Sequence, residues 1–278
     1  MLETPEGLEF VMASDQPRHG VSNIPTTAVA GTSLEALQAH GSIRCMPPIV
    51  RLGGGDLTHH GPEFGPAWGA LNSGHCIHSS PPIYSIPAFL SEKQCAALIR
   101  NALSGAGQKT ASDMQTFGSS TKRTSTSWLM PPSTPCVGEL IALAQTLTGC
   151  SSERFEVAQV IRYCEAQEYA WHLDTLPLSA QGHEGNRSTT LIVYLNTLSY
   201  LGGGHTCFRD LEGIDVAPVV GTALLFFPAF GSAERRGEPD FRTVHCSLPA
   251  AGNETKWIAQ IFVRERGFAG GQACIPGY

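Results

Sequence analysis

A strand-rich barrel or sandwich with a helical flank is the fold class that this sequence predicts. Three observations lead there. Two segments with helical spacing come first, and a series of short apolar, β-branched segments follows them. Glycine (30 residues) and proline (19) are plentiful, which favours turns and short strands over long helices. Apolar residues make up 42% of 278, enough to bury a sizeable core.

Composition also narrows the function. The net charge of −6 leaves no chain-wide basic footprint, so nucleic acid is not an expected partner. The longest apolar run, "TALLFFPAF" at 222–230, is too short to span a bilayer and contains a proline. The start, "MLETPEGLEFVMASDQP", lacks a basic stretch followed by an apolar one, so no secretory signal is read. A soluble, cytoplasm-like compartment and no membrane contact are the expectation. The nine cysteines are scattered without CxxC spacing. Most read as reduced, small apolar side chains, with room for one disulfide pair.

Residues 1–80 read as an irregular arm, rich in Gly, Pro, Ser and His, and residues 81–278 as the folded domain. His59, His60, His75 and His78 stand in that arm as incidental loop histidines. From Pro81 the elements follow in order. "FLSEKQCAALIRNAL" opens with Ser91 and Gln94 in a capping-box pattern. Ala97, Leu98, Ala102 and Leu103 give it a helical apolar face. "STPCVGELIALAQTLTG" has Thr134 as cap, Pro135 at the first helical position and Gly149 as stop. "RFEVAQVIRYC" alternates Phe155, Val157, Gln159, Ile161 and Tyr163. "TTLIVYLN", "TALLFF", "FRTVHC" and "KWIAQIFVRE" complete the strand series.

One short stretch carries chemistry. In "YAWHLD", His172 and Asp174 are two residues apart, so on a strand they point to the same side. An isolated pair of this kind more often marks a satisfied polar contact than a metal site. His245, in "DFRTVHCSLP", supplies a third candidate from a distant segment. Two neutral imidazoles and one carboxylate form the facial triad of non-haem iron(II), which leaves coordination positions open. Lys256 begins the last strand, with Ile258, Gln260 and Phe262 on its face. An inward ammonium is costly to bury unpaired, and a bound dicarboxylate would pair with it.

In order along residues 83–266 stand "FLSEKQCAALI", "KRTSTSWL", "FEVAQVIRYCEAQEYAWHLD", "NRSTTLIVYLN", "GGGHTCF", "VVGTALLFF", "DFRTVHCSLP" and "KWIAQIFVRE". This series resembles the prolyl 4-hydroxylase branch of the iron(II)/2-oxoglutarate dioxygenases. The resemblance implies a double-stranded β-helix, a jelly-roll, cupin-like barrel with flanking helices. It implies Fe(2+), 2-oxoglutarate and O2, with ascorbate as the accompanying reductant. It makes His172, Asp174 and His245 the iron ligands. Lys256 would pair with the far carboxylate of 2-oxoglutarate, Tyr163 would help hold it, and Thr190 would line its site. Tyr169 and Arg187 match positions near the substrate. On the residues alone, Tyr163 and Tyr169 also fit as core aromatics, and Arg187 as a loop anchor.

Three departures are visible. Phe262 stands where many relatives carry tryptophan. His205 replaces the acid of the usual "GGET". The interval from His245 to Lys256 is one residue longer than is common, which a loop at "AAGNE" can absorb. The expected reaction is hydroxylation of an unactivated C–H, first of a peptidyl proline, otherwise of a free amino acid or small metabolite. Asp174 fills the place that a halogenating site leaves small, so hydroxylation is expected over halogenation. Two rivals from other classes are a non-catalytic metal-binding jelly-roll and a zinc hydrolase on the same triad.

Overall fold

The computed structural model describes residues 74–110, 123–199 and 201–268. The N-terminal stretch with His59 and His60, together with Cys45 and Cys274, lies outside the described residues. The elements run β1 (His75–Ser79), β2 (Pro82–Ile86), α1 (Glu92–Leu103), β3 (Gln108–Thr110), β4 (Thr126–Met130), α2 (Pro135–Thr148), β5 (Ala158–Tyr163), β6 (Tyr169–His172), α3 (Leu178–Gln181), β7 (Arg187–Tyr194), β8 (Thr206–Phe208), β9 (Asp215–Val216), β10 (Ala223–Phe226), β11 (His245–Ser247) and β12 (Lys256–Arg264). Strand β1 falls inside the stretch that composition reads as an irregular arm, and it pairs with β2.

Local chemistry sets the helix ends. The Ser91 side chain accepts from the Gln94 backbone N–H, and the Gln94 side chain accepts from the Ser91 N–H at 2.9 Å. The expected capping box is therefore present. Helix α2 starts at Pro135 and stops at Gly149, which takes a left-handed φ of 67° that glycine adopts without a Cβ clash. Thr134 makes no side-chain cap bond, so the start rests on the proline alone. The apolar face of α1 differs from expectation at one end: Cys95, Leu98 and Ala102 are buried while Leu103 is exposed. Leu103 is the last residue, where the helix leaves the sheet it packs on.

Two antiparallel sheets face one another. The larger has eight strands in the order β1-β2-β10-β7-β12-β5-β4-β3, and the smaller four in the order β6-β11-β8-β9. The large sheet is buried on both faces, and alternate residues serve each. Trp257, Ala259, Ile261 and Val263 of β12 join Val160, Leu191, Leu225 and the helix residues Leu98, Val137, Leu140 and Leu147. Ile258 joins Ile161, Tyr163, Ile192, Tyr194, Leu224 and Phe226 against Phe208 and Tyr169 of the small sheet. All nine residues of β12 are buried, which is why its sequence is nearly continuous in apolar residues. This is a jelly-roll arrangement with helices on one side, and the second core lies where the functional residues point.

The stretch "DFRTVHC" reads as strand but folds otherwise for half its length. Phe241–Thr243 form a 3-10 turn, capped by the Asp240 side chain on the Arg242 N–H, and only His245–Ser247 pair as β11. The local hydrogen bond to Asp240 competes with strand pairing there.

Candidate metal centre and its charged neighbour

His172 ends β6, His245 begins β11, and the two are direct register partners across the small sheet. Asp174 lies two residues beyond the end of β6 rather than on it, so its approach is set by the departing loop. The three side chains are all buried. Ligand-capable atoms from all three lie within 4.8 Å of one another. Nε2 of His172 is 3.5 Å from Asp174 Oδ1, and Nε2 of His245 is 3.6 Å from Asp174 Oδ2.

The outward nitrogens fix the tautomers. Nδ1 of His172 meets the Ala170 carbonyl at 2.8 Å, and Nδ1 of His245 meets the Thr243 carbonyl at 3.0 Å. A carbonyl only accepts, so each Nδ1 carries the proton and each Nε2 presents its lone pair to the centre. Burial, then the neighbouring His172, lowers the pKa of His245 to about 4. Burial would raise that of Asp174, but His245, His172 and Arg187 outweigh it and hold the carboxyl well below the usual range. Neutral imidazoles and an ionised carboxylate are the states a divalent cation needs. Thr190 donates its hydroxyl to Asp174 Oδ2 at 2.8 Å, which orients the carboxylate. Phe226 packs edge-on to His245 with centroids 4.8 Å apart.

Lys256 is 1% exposed and fully inside. It faces Tyr163 in the β12–β5 register and donates to Ser247 Oγ at 2.8 Å. Its Nζ lies 5.5 Å from the Tyr163 ring and 5.6 Å from the Tyr194 ring. No carboxylate among the described residues forms an ion pair with it; burial lowers its pKa to about 7, with Cys207 and Cys246 acting in the opposite direction. Burial pushes the pKa of Tyr163 up, against which the neighbouring Arg123, Ser125 and Ser247 act. Gly204, at φ +69°, permits the packing beside the lysine stem: a Cβ there would meet Leu198 at 2.5 Å and Lys256 Cδ at 3.4 Å.

The two remaining expected residues sit on the metal side. The Tyr169 ring stacks on His172 with centroids 3.4 Å apart. Arg187 forms a two-pronged pair with Glu156, Nε to Oε1 at 2.8 Å and Nη2 to Oε2 at 2.7 Å, and reaches the Asp174 carbonyl from Nη1 at 3.2 Å. Its guanidinium lies 3.7 Å over the Phe262 ring, which makes that aromatic a platform for Arg187. All eight expected site residues therefore gather in one buried region. Four partners were not read from sequence: Glu156, Ser247, Ser125 and Arg123, whose guanidinium lies 5.3 Å from Tyr169. Ser247 had a signal, since it is two residues after His245 on one strand. His205 is elsewhere: it pairs with Asp215 at 2.6 Å and is partly exposed, so the "GGHT" departure leaves the centre untouched. His78 Nδ1 binds the Pro81 carbonyl, a local contact.

Comparison with known proteins points the same way. Residues 158–264 match the 2OG-Fe(II) oxygenase superfamily. The chain is 33% identical over 144 residues to prolyl 4-hydroxylase subunit alpha-2 of Gallus gallus, covering 51% of this chain and 26% of that one. It spans only about a quarter of that relative's length. It is 26% identical over 210 residues to prolyl 4-hydroxylase 2 of Arabidopsis thaliana, covering 66% and 68% of the two chains. The fold is similar to the viral collagen prolyl hydroxylase of Paramecium Bursaria Chlorella virus-1 in its 2OG complex. There the TM-score is 0.52 at 26% identity, over 66% of this chain and 95% of that one.

Proposed function

We propose that this chain, which carries a domain similar to the prolyl 4-hydroxylase-like 2OG-Fe(II) oxygenases, is a 2-oxoglutarate-dependent dioxygenase using Fe(2+) and O2, and that it hydroxylates a proline in a peptide. Ascorbate is the usual companion reductant of such enzymes. The observation that carries the reading is the presence of two features in one buried region. One is a buried His172–Asp174–His245 set ready for a cation; the other is a buried ammonium at Lys256 with no carboxylate partner among the described residues. A zinc hydrolase would use the first and leave the second as an uncompensated cost.

Bound ferrous ion, with 2-oxoglutarate and O2, supplies the oxidising power for C–H hydroxylation, releasing succinate and carbon dioxide. The chain's own residues do the rest. His172, Asp174 and His245 would hold the metal as a three-residue set that leaves coordination positions free. Lys256 holds the far carboxylate of 2-oxoglutarate, with Tyr163 and Ser247 as hydroxyl neighbours. Thr190 keeps the Asp174 carboxylate aimed, and Tyr169 braces the His172 ring. Apolar walls from Ile161, Ile192, Leu224 and Phe226 exclude water.

Arg187 bears on the substrate class. Both faces of its fork are taken by Glu156, so it is not open to bind the carboxylate of a free amino acid. A peptidyl proline has no such group beside its ring. We place the catalytic domain at residues 81–278 and residues 1–80 as an arm, the last part of which, β1, joins the domain as an edge strand. The test is succinate release from 2-oxoglutarate with iron and ascorbate, driven by a proline-rich peptide or by free proline. Turnover with the peptide and not the amino acid is expected; the reverse overturns the peptide reading, and zinc-sustained, oxygen-independent hydrolysis overturns the oxygenase reading.

A further inference from the structure

We propose that Cys207 and Cys246 form an oxidative modification site, a cross-strand dithiol that a peroxide closes to a disulfide and that thereby weakens metal binding. The two are direct register partners of β8 and β11. Hydrogen bonds from the Arg209 N–H to the Val244 carbonyl (2.8 Å) and from the Leu248 N–H to the His205 carbonyl (2.9 Å) flank them on either side. The alternation of the ladder makes Cys207 and Cys246 a hydrogen-bonded pair, with Cα atoms about 5.5 Å apart. That lies inside the ~4.4–6.8 Å range a disulfide spans. Directly opposed residues project to one face, and the two thiols are near enough to shift each other's proton affinity. Both are free thiols.

The face they share is the outer one. His245 and Ser247, on either side of Cys246, point into the site, so Cys246 points away. Cys207 is half-buried, and its Sγ lies 3.5 Å from Asp215 Oδ1. That carboxylate also holds His205, and both of these neighbours are partly exposed. Cys207 is the thiol a small oxidant meets from this side, and Cys246, which is buried, then closes onto it. The balance is simple. Two S–H bonds and the peroxide O–O bond break, one S–S bond forms, the sulfurs give up two electrons, and the two protons leave in two molecules of water.

The consequence follows from the position of Cys246. Opposed Cβ atoms of a sheet are about 4.5–5.5 Å apart, whereas disulfide Cβ atoms average about 3.8 Å. Closing the bond draws β11 toward β8 and away from β6, where the partner ligand His172 stands. This effect on the ligands rests on the metal-site reading above; the disulfide itself does not.

The experiment uses the full chain, stripped of metal so that no iron reacts with the peroxide. Treat it with hydrogen peroxide, alkylate, digest with trypsin and read masses. The two cysteines fall in separate peptides, residues 188–209 and 243–256, each with one cysteine. Expected is a linked pair of these two, two hydrogens lighter than their sum, absent in Cys207→Ser and reversed by dithiothreitol. Full alkylation of both cysteines after peroxide, or their linkage only to other cysteines, overturns the site. Manganese(II) affinity is then measured on both forms. A roughly tenfold loss in the linked form, within the range of outer-sphere changes, is expected, with none in peroxide-treated Cys207→Ser. Equal affinity overturns the effect on metal. If neither form binds manganese while the linked peptide appears, the metal-site reading has failed and the disulfide site stands.

Discussion

The two ends of the buried site are built in opposite ways. At the metal end each charged or polar group has its counterpart inside the protein. Asp174 lies against both imidazoles and accepts from Thr190, and both Nδ1 atoms are tied to backbone carbonyls. At the lysine end an ammonium is sealed in with one hydroxyl partner, two aromatic rings and no ion pair among the described residues. The first end is organised by the fold. The second is left for a ligand to complete, and the fold carries the cost of that charge until it arrives.

Removing a ligand should have the largest effect. His245→Ala should abolish metal binding and turnover, a loss beyond the ~100-fold upper cost of an outer-sphere change. Anaerobic iron and 2-oxoglutarate titration, followed by the metal-to-ligand absorption band, reads it directly. A variant that retains normal binding removes His245 from the centre and ends the contrast.

Lys256→Met separates the two ends. Losing one partner of a buried charge pair costs about 2–5 kcal/mol, so the KM for 2-oxoglutarate should rise on the order of 30-fold or more. The same change should raise the melting temperature of the ligand-free protein, since it removes a buried charge. An unchanged KM together with a lower melting temperature would mean that Lys256 is already satisfied within the fold. Thr190→Val keeps the shape and removes the hydrogen bond to Asp174. It should weaken metal affinity by roughly tenfold while leaving the 2-oxoglutarate dependence at saturating metal nearly unchanged.

The smallest effect is on pH. In the ligand-free protein Lys256 titrates at about 7, below its ordinary 10.5. A carboxylate binds the protonated form, so 2-oxoglutarate affinity should be level below about pH 7 and fall by up to about tenfold per unit above it. Stability runs the other way. Between about 7 and 10.5 the unfolded chain holds a proton that the folded one has lost, so ligand-free stability should rise with pH across that window. Calorimetric titration and thermal melts at several pH values check both, and Lys256→Met should flatten both profiles.

Local signals were legible wherever the physics is local. The Ser91–Gln94 box, Pro135 and Gly149 mark helix ends through contacts a few residues apart. The alternation along β12 fixed which face Lys256 presents. Where two local preferences competed, the reading failed in part: residues 241–243 turn because Asp240 caps them, although their side chains suit a strand. Described residues include no helix long and apolar enough to cross a membrane, in keeping with the short apolar runs.

The sequence by itself determined which side chains carry the chemistry and the order in which they come, since residue type and spacing of two along a strand are properties of the chain. Tertiary structure alone decided their partners. Glu156 reaches Arg187 and Ser247 reaches Lys256 across strand pairs and sheet faces, and Cys207 meets Cys246 through one register among several. A one-residue slip would turn each of these to the opposite face, and register is set by the packing of whole sheets against one another, which no single stretch of sequence contains.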